Sequence, residues 1–272
     1  MKTTAIKLSS PATREFWEIA ILYEDEVLLA LDKPSGLLTS PDRYEPNRPN
    51  LIKLLHGGIA DAKPWAKERG LTYLMNAHRL DFETSGVILL AKSKPVLVQL
   101  ANLFGSEKPI KTSTALVRDA PGTDRFEVEA KLAPHPVKIG LICVAPKRGK
   151  RAHTHFEVRE RFNGWTQLTC RPLTSRTHQI RVHLRHVGLP IVGDSLYGGK
   201  PLWLSRLKRD YYLKPGREER PLMGRLALHA EQLTLDHPVT GQTLTITAPW
   251  PKDFTVALKY LRQYANVGAP QG

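Results

Sequence analysis

Asp81 sits directly after Arg79-Leu80 and just before the turn-forming run Thr84-Ser85-Gly86. A carboxylate held at such a corner, with a cation two residues back, is favoured in its charged form and points one way. That suits an oxygen nucleophile for covalent catalysis. The plainer alternative is a turn-capping Asp beside a surface Arg. About a hundred residues on, the segment from Arg171 to His186 holds Arg171, Arg176, Arg181 and Arg185 together with His178, His183 and His186. On a helix Arg181 and Arg185 are i, i+4 neighbours, and His178 joins their side. No acidic residue occurs from 161 to 193. A cationic face without local partners is suited to phosphates.

Other candidates carry less. His153-Thr154-His155 puts two imidazoles on one side of a strand, but no third ligand stands at a sensible spacing, so no metal is expected. Lys147-Arg148-Gly149-Lys150-Arg151 is a basic loop, either a solvated tip or a phosphate contact. From 198 to 222 a second basic stretch, continued by Arg225, interleaves Arg206, Lys208, Arg209, Lys214, Arg217 and Arg220 with Trp203, Tyr211 and Tyr212. That mixture suits stacking and backbone contact on RNA. Gly193-Asp194-Ser195-Leu196 matches a short esterase motif, but the Asp-x-x-His such enzymes need is missing, so it reads as a turn. Cys143 and Cys170 lie in apolar runs and read as buried, reduced thiols.

These residues need a frame. The five residues from Val87 to Ala91 read as a buried strand behind Asp81. Strand, turn and strand are expected over 19–31, closed by Lys33-Pro34-Ser35-Gly36. Short helices are expected at 51–55 and 95–104, with 57–72 as polar connection. Strands are expected at 112–118, 126–132, 139–145, 153–160 and 165–171, with an Asn163-Gly164 hairpin between the last two. A helix is expected over 176–186, capped by Thr174 or Ser175 and stopped by Gly188. Two further strands at 226–235 and 243–248 and a helix at 252–264 complete the pattern. Residues 1–18 read as an N-terminal arm, 19–264 as one catalytic domain and 265–272 as a loose tail. Strands joined by hairpin-length turns, mixed with helices, imply an α+β fold with a mainly antiparallel sheet.

The chain has 272 residues, 41% of them hydrophobic, enough for a sizeable core. Forty Lys and Arg against 26 Asp and Glu give a net charge of +14, which favours a polyanionic partner. Two cysteines imply no disulfide framework, and no apolar run reaches membrane-spanning length. A soluble, cytoplasmic, monomeric protein is expected.

Taken together, the segments resemble the RluA-type family of RNA pseudouridine synthases. His78-Arg79-Leu80-Asp81 with Thr84-Ser85-Gly86 is similar to that family's nucleophile motif. Arg176-Thr177-His178-Gln179-Ile180-Arg181-Val182-His183 is similar to its second motif, continued by Leu189-Pro190-Ile191-Val192-Gly193-Asp194 and Tyr197-Gly198. Tyr23-Glu24-Asp25, Lys33-Pro34-Ser35-Gly36, Leu228-His229-Ala230 and His237-Pro238-Val239-Thr240-Gly241 also fit. The resemblance covers roughly residues 19–255.

The resemblance implies the pseudouridine synthase fold and isomerisation of uridine to pseudouridine in structured rRNA or tRNA, with no cofactor and no metal. It implies Asp81 as nucleophile, with Arg176 paired to it. Arg79 would help extrude the target base and Leu228 would pack against the uracil. It also places His78, Thr84, Ser113, His178, Gln179, Arg181 and Arg185 at the substrate. Breaking the C1′–N1 bond and joining C1′ to C5 needs a carboxylate acting on the sugar, as in glycosidases, or on the base. The base must first be flipped out of its stack. Two departures stand out. Ser113 replaces a family Tyr, and Ser cannot stack on uracil or act as a phenol. Ser175 replaces a family Gly. An active synthase is therefore one reading, and a catalytically impaired relative that binds RNA is the other.

Overall fold

The computed structural model describes residues 4–42 and 45–267. Two compact units divide the chain: residues 1–111 with 230–249, and residues 112–229 with 250–272.

In the first unit β1 (Ala5–Ser10) pairs antiparallel with β2 (Glu15–Glu24), and β2 pairs with β3 (Leu28–Lys33). The segment read as a polar arm thus carries a strand. Its apolar residues alternate, so Ile6 and Leu8 turn inward beside Ile19 while the residues between them face out. Helix α1 (Leu51–Ala60) is capped by Asn50, whose side-chain oxygen accepts the Lys53 N–H. A short helix, α2 (Pro64–Lys67), follows within the stretch read as polar connection, and Trp65, Ala66 and Leu71 there are buried. Next come β4 (Met75–Asn76), β5 (Ser85–Ala91) and α3 (Lys94–Gly105).

Strand β5 explains its own unbroken apolar run. Ile88 and Leu90 join Leu29 and Leu31 in one core cluster, while Val87, Leu89 and Ala91 join Leu28 and Ala30 in another. Successive residues fill opposite faces, and both faces are covered. Each fully buried Leu or Ile contributes about 1.5–3 kcal/mol, so the strand behind Asp81 is firmly seated. β3 pairs with β5 antiparallel. Strand β11 (Leu228–Asp236) lies on the other side of β5, with β12 (Thr243–Thr247) beyond it. Gly86, with φ +118°, passes so close to β11 that a Cβ there would fall 2.2 Å from the Ala230 carbonyl oxygen. Only glycine fits.

Two distant motifs meet in this unit. Asp25 accepts hydrogen bonds from the Tyr23 hydroxyl, the Val27 and Leu28 N–H groups and His237 Nε2. The His237 Nδ1 accepts from Val239 and Thr240, which leaves Nε2 as the donor. Desolvation works against the Asp25 anion, but these donors outweigh it and hold its carboxyl below the ordinary value. The same Asp25 contact pushes the Tyr23 phenol up to about 12.

The second unit is an antiparallel sheet in the order β6 (Ile110–Arg118), β10 (Trp165–Pro172), β9 (Lys150–Phe162), β7 (Arg125–Pro134), β8 (Ile142–Val144). The Asn163-Gly164 hairpin joins β9 to β10 with Trp165 opposite Phe162, and Gly164 takes φ +83°. Helices α4 (Gln179–His186) and α5 (Lys252–Tyr264) complete the unit. Its core gathers Ala115, Val117, Phe156, Leu168, Leu184, Ile191 and Leu226 with Phe254, Ala257, Leu258 and Leu261 of α5. Of the expected loose tail, Ala265 is buried and Asn266 bridges to Phe162; residues 268–272 lie outside the described residues.

Among the described residues, strands with antiparallel ladders in both units and five α-helices make the fold α+β. No helix among the described residues is long and apolar enough to cross a membrane.

Candidate active site

Asp81 lies within the loop, residues 77–84, that joins β4 to β5. The Ala77 N–H donates to the Leu89 carbonyl, and the Leu89 N–H donates to His78 Nε2 at 3.1 Å. The imidazole thus stands in for a backbone carbonyl and extends the β4–β5 pairing past the end of β4. His78 also stacks on Phe104, with ring centroids 4.9 Å apart. Burial, assisted by the charge of Lys111, pushes its pKa down to about 3. His78 is thus a neutral anchor within the frame. Arg79, next in the chain, is exposed.

The residues on either side of Asp81 are pinned by their backbones. The Thr39 hydroxyl accepts the Leu80 N–H at 3.1 Å and donates to the Leu80 carbonyl at 3.0 Å. The Phe82 carbonyl accepts the Gly36 N–H at 2.9 Å and Lys33 Nζ at 3.4 Å. Lys33 is fully buried, and its ammonium also reaches the Pro34 and Leu37 carbonyls at 2.8 and 2.7 Å. The Thr84 N–H closes the turn on the Asp81 carbonyl at 3.2 Å. Thr84 is 5% exposed, and its hydroxyl is buried with no hydrogen-bond partner among the described residues. Asp81 itself is partly buried. Sequence reading took Lys33 for turn chemistry and passed over Thr39. The turn around Lys33-Pro34-Ser35-Gly36 was visible, but a lysine buried against carbonyls was not.

Arg176 belongs to the second unit, on the loop before α4. That helix starts three residues later than expected, because His178 takes a left-handed conformation with φ +53° and ends the loop. Neither Thr174 nor Ser175 caps it. Instead Gln179 organises the loop from inside. Its Oε1 accepts the Thr174 hydroxyl and the Arg176 N–H, and its Nε2 donates to the His153 carbonyl and the Thr154 hydroxyl. With all four bonds made and 4% exposure, Gln179 shapes the loop from within. The Arg176 guanidinium donates to the Arg151 and Ser175 carbonyls. His178 Nδ1 is hydrogen-bonded to the Tyr197 hydroxyl at 2.8 Å, and that hydroxyl also accepts the Ile142 N–H.

The cationic face divides. Arg185 is exposed, as expected. Arg181 is 2% exposed and makes two hydrogen bonds, of 2.8 and 2.7 Å, to the fully buried Asp194, while lying 5.0 Å over the Tyr197 ring. The partner is the first acidic residue after the acid-free stretch, and the turn through Gly193 brings it back under α4. Arg225 is likewise held by Asp253 through two bonds, of 2.7 and 2.8 Å. Arg206, Arg209, Lys214, Arg217 and Arg220 are exposed, and so is Tyr212 at 75%.

Leu228 is 4% exposed at the start of β11 and joins the core of the second unit. Ser113, 8% exposed on β6, pairs with Cys170 of β10. His78, Arg79, Asp81 and Thr84 thus lie in the first unit, and Ser113, Arg176, His178, Gln179, Arg181, Arg185 and Leu228 in the second.

The RNA pseudouridylate synthase family model matches residues 27–186. Ribosomal large subunit pseudouridine synthase D of Xylella fastidiosa is 38% identical over 246 residues, covering 89% of this chain and 69% of its own. The protein of the same name from Haemophilus ducreyi is 33% identical, with 89% and 70% covered. Among solved structures, human RNA pseudouridylate synthase domain containing 4 superposes with a TM-score of 0.68 at 25% identity, covering 89% of this chain and 92% of that one. A family model spanning more than half the chain, and relatives above 30% identity over most of it, show that the chain belongs to the RNA pseudouridylate synthase family.

Proposed function

We propose that this synthase isomerises uridine in ribosomal RNA, with Asp81 as its nucleophile. The observation that carries the reading is the backbone fixation around Asp81, with Leu80 bound by Thr39 at both polar groups and Phe82 bound by Gly36 and Lys33. A carboxylate with both neighbours immobilised loses little freedom on reaching its target, which is what positioned nucleophiles require. Asp81 would act on the sugar or the base of the flipped uridine. The C1′–N1 bond breaks with its electron pair left on N1, the uracil turns, C1′ joins C5, the C5 hydrogen leaves as a proton, and N1 takes one up from solvent. The step is an isomerisation and needs no electron donor or acceptor.

Arg176 would supply positive charge to the reaction, Arg79 would fill the place of the extruded base, and Leu228 would contact the uracil. The exposed Arg185 and the basic 198–222 loop would hold phosphates, in keeping with the net charge of +14. Ribosomal RNA is the favoured substrate because the relatives named above act on the large ribosomal subunit. The test is to incubate unmodified large-subunit RNA and, separately, unmodified transfer RNA with the protein and map pseudouridine by carbodiimide modification and primer extension. A new stop at a defined uridine supports the reading. A stop in transfer RNA only would redirect it.

A further inference from the structure

The outward face of β7, β9 and β10 carries a ladder of charged side chains with opposite partners in register. Arg125 faces Glu157, Glu127 faces His155, and Glu129 faces His153. The ladder pairs off its own charges at each end. Glu157 takes Arg125 and Arg171, and Glu129 takes Arg151. What remains in the middle is Glu127 with two imidazoles. His153 Nε2 lies 3.0 Å and His155 Nε2 3.1 Å from the same carboxylate oxygen, Glu127 Oε2. The three ligand atoms lie within 4.8 Å of one another. The two rings stand edge to face with centroids 4.9 Å apart, so their nitrogens converge.

We propose that Glu127, His153 and His155 form a binding site for a borderline divalent transition-metal ion, zinc first among them. Two imidazole nitrogens and one carboxylate oxygen are a recognised zinc donor set. With zinc–ligand bonds of about 2.0–2.1 Å, ligand atoms in a tetrahedral site stand about 3.3 Å apart. The observed spacing reaches that with small side-chain rotations. Two directly opposed strands present the donors, so little backbone freedom is lost on binding. Glu157 and Glu129 engage the nearest arginines, so the cation enters a cluster of balanced charge although the whole chain is basic. His153 is 17%, His155 47% and Glu127 65% exposed in their side chains, which leaves a way in from solvent. At least one coordination position stays open to water or an external oxygen.

The site adjoins the Arg176 loop of the same unit. The His153 N–H donates to the Thr174 hydroxyl, and its carbonyl accepts from Gln179. Sequence alone shows the His-x-His pair; the third ligand stands 26 residues upstream and becomes a neighbour only through the β7–β9 register.

Calorimetric titration of the full chain, free of any polyhistidine tag, with zinc chloride tests this without reference to isomerisation. The wild type should bind one zinc per chain and should not bind magnesium at the same concentrations, since imidazole favours the transition metal. His153→Ala/His155→Ala should weaken binding at least tenfold, and Glu127→Gln less so, while His135→Ala leaves it unchanged. Far-ultraviolet circular dichroism checks that each variant is folded, and Glu127→Gln, the mildest change, keeps the test decisive if the double variant unfolds. Absence of zinc binding by the wild type, or binding unaffected in both Glu127→Gln and the double variant, overturns the proposal.

Discussion

The Thr39 hydroxyl closes a two-bond clamp on the backbone of Leu80, accepting its N–H and donating to its carbonyl. The side chain comes from 41 residues upstream and grips the residue immediately before Asp81. Thr39→Val keeps the shape and removes both bonds. The folded state should lose about 1–3 kcal/mol, since both groups are left without partners. Single-turnover rates should fall roughly ten- to a hundredfold through misplacement of the carboxylate, with RNA affinity unchanged. An unaltered rate would show that the clamp does not position Asp81.

Lys33 works from the other side. Lys33→Met preserves the length of the side chain and deletes the ammonium that joins the Pro34, Leu37 and Phe82 carbonyls. Stability should drop by about 1–3 kcal/mol in urea unfolding. The rate should fall while the KM for RNA holds, because the ammonium is buried and does not meet RNA. A change confined to KM would contradict the assignment.

Arg181 and Arg185 are four residues apart, yet their alanine variants should differ in kind. Arg181→Ala strands the Asp194 charge in the interior, and about 3–5 kcal/mol of stability should be lost. Arg185→Ala should leave the melting temperature in place, weaken RNA binding and reduce the salt slope of the binding constant by about one. Equal effects of the two changes on RNA binding, with stability intact in both, would contradict the buried pair.

Stability should fall with acid well before the carboxylates titrate. Burial lowers His78 to about 3 and His183 to about 4, the latter with help from the charges of His186 and His153. Both are held neutral, below the ordinary histidine value near 6.5. Their contribution is therefore complete above about pH 6.5 and is lost as pH falls toward the folded values. At pH 5 each should cost about 2 kcal/mol relative to neutral pH. Urea unfolding at pH 7.5 and pH 5 should show this difference, with uptake of about two protons on unfolding at pH 5. A flat profile between those values would show that the two rings can protonate in the folded state.

Local signals were legible in the sequence wherever one segment carries its own explanation. The Val87–Ala91 run, the Asn163-Gly164 turn and the helix of 95–104 all lie where their patterns put them. The buried-thiol reading holds for Cys170, whose thiol burial pushes up, while Cys143 is only partly buried. What the sequence hid depends on partners far along the chain. Arg181 reads as a solvent-facing cation because Asp194 lies just beyond the acid-free stretch. The bonds by which His78 and Gln179 hold their loops carry no local signal in the sequence. The β1 strand was missed because its alternation is short and set among polar residues. Lys33 and Thr39 were missed because a buried lysine and a bridging hydroxyl carry no periodic signature.

The central claim is that Asp81 is the nucleophile of an RNA uridine isomerase. Tritium release from RNA labelled at uridine C5 measures it directly, because joining C1′ to C5 must expel that hydrogen. Wild type and Asp81→Asn should be compared on unmodified ribosomal RNA, with RNA affinity measured in parallel. Release by the wild type, and none by Asp81→Asn at unchanged affinity, is the predicted result. Release at comparable rates by both proteins would contradict the claim.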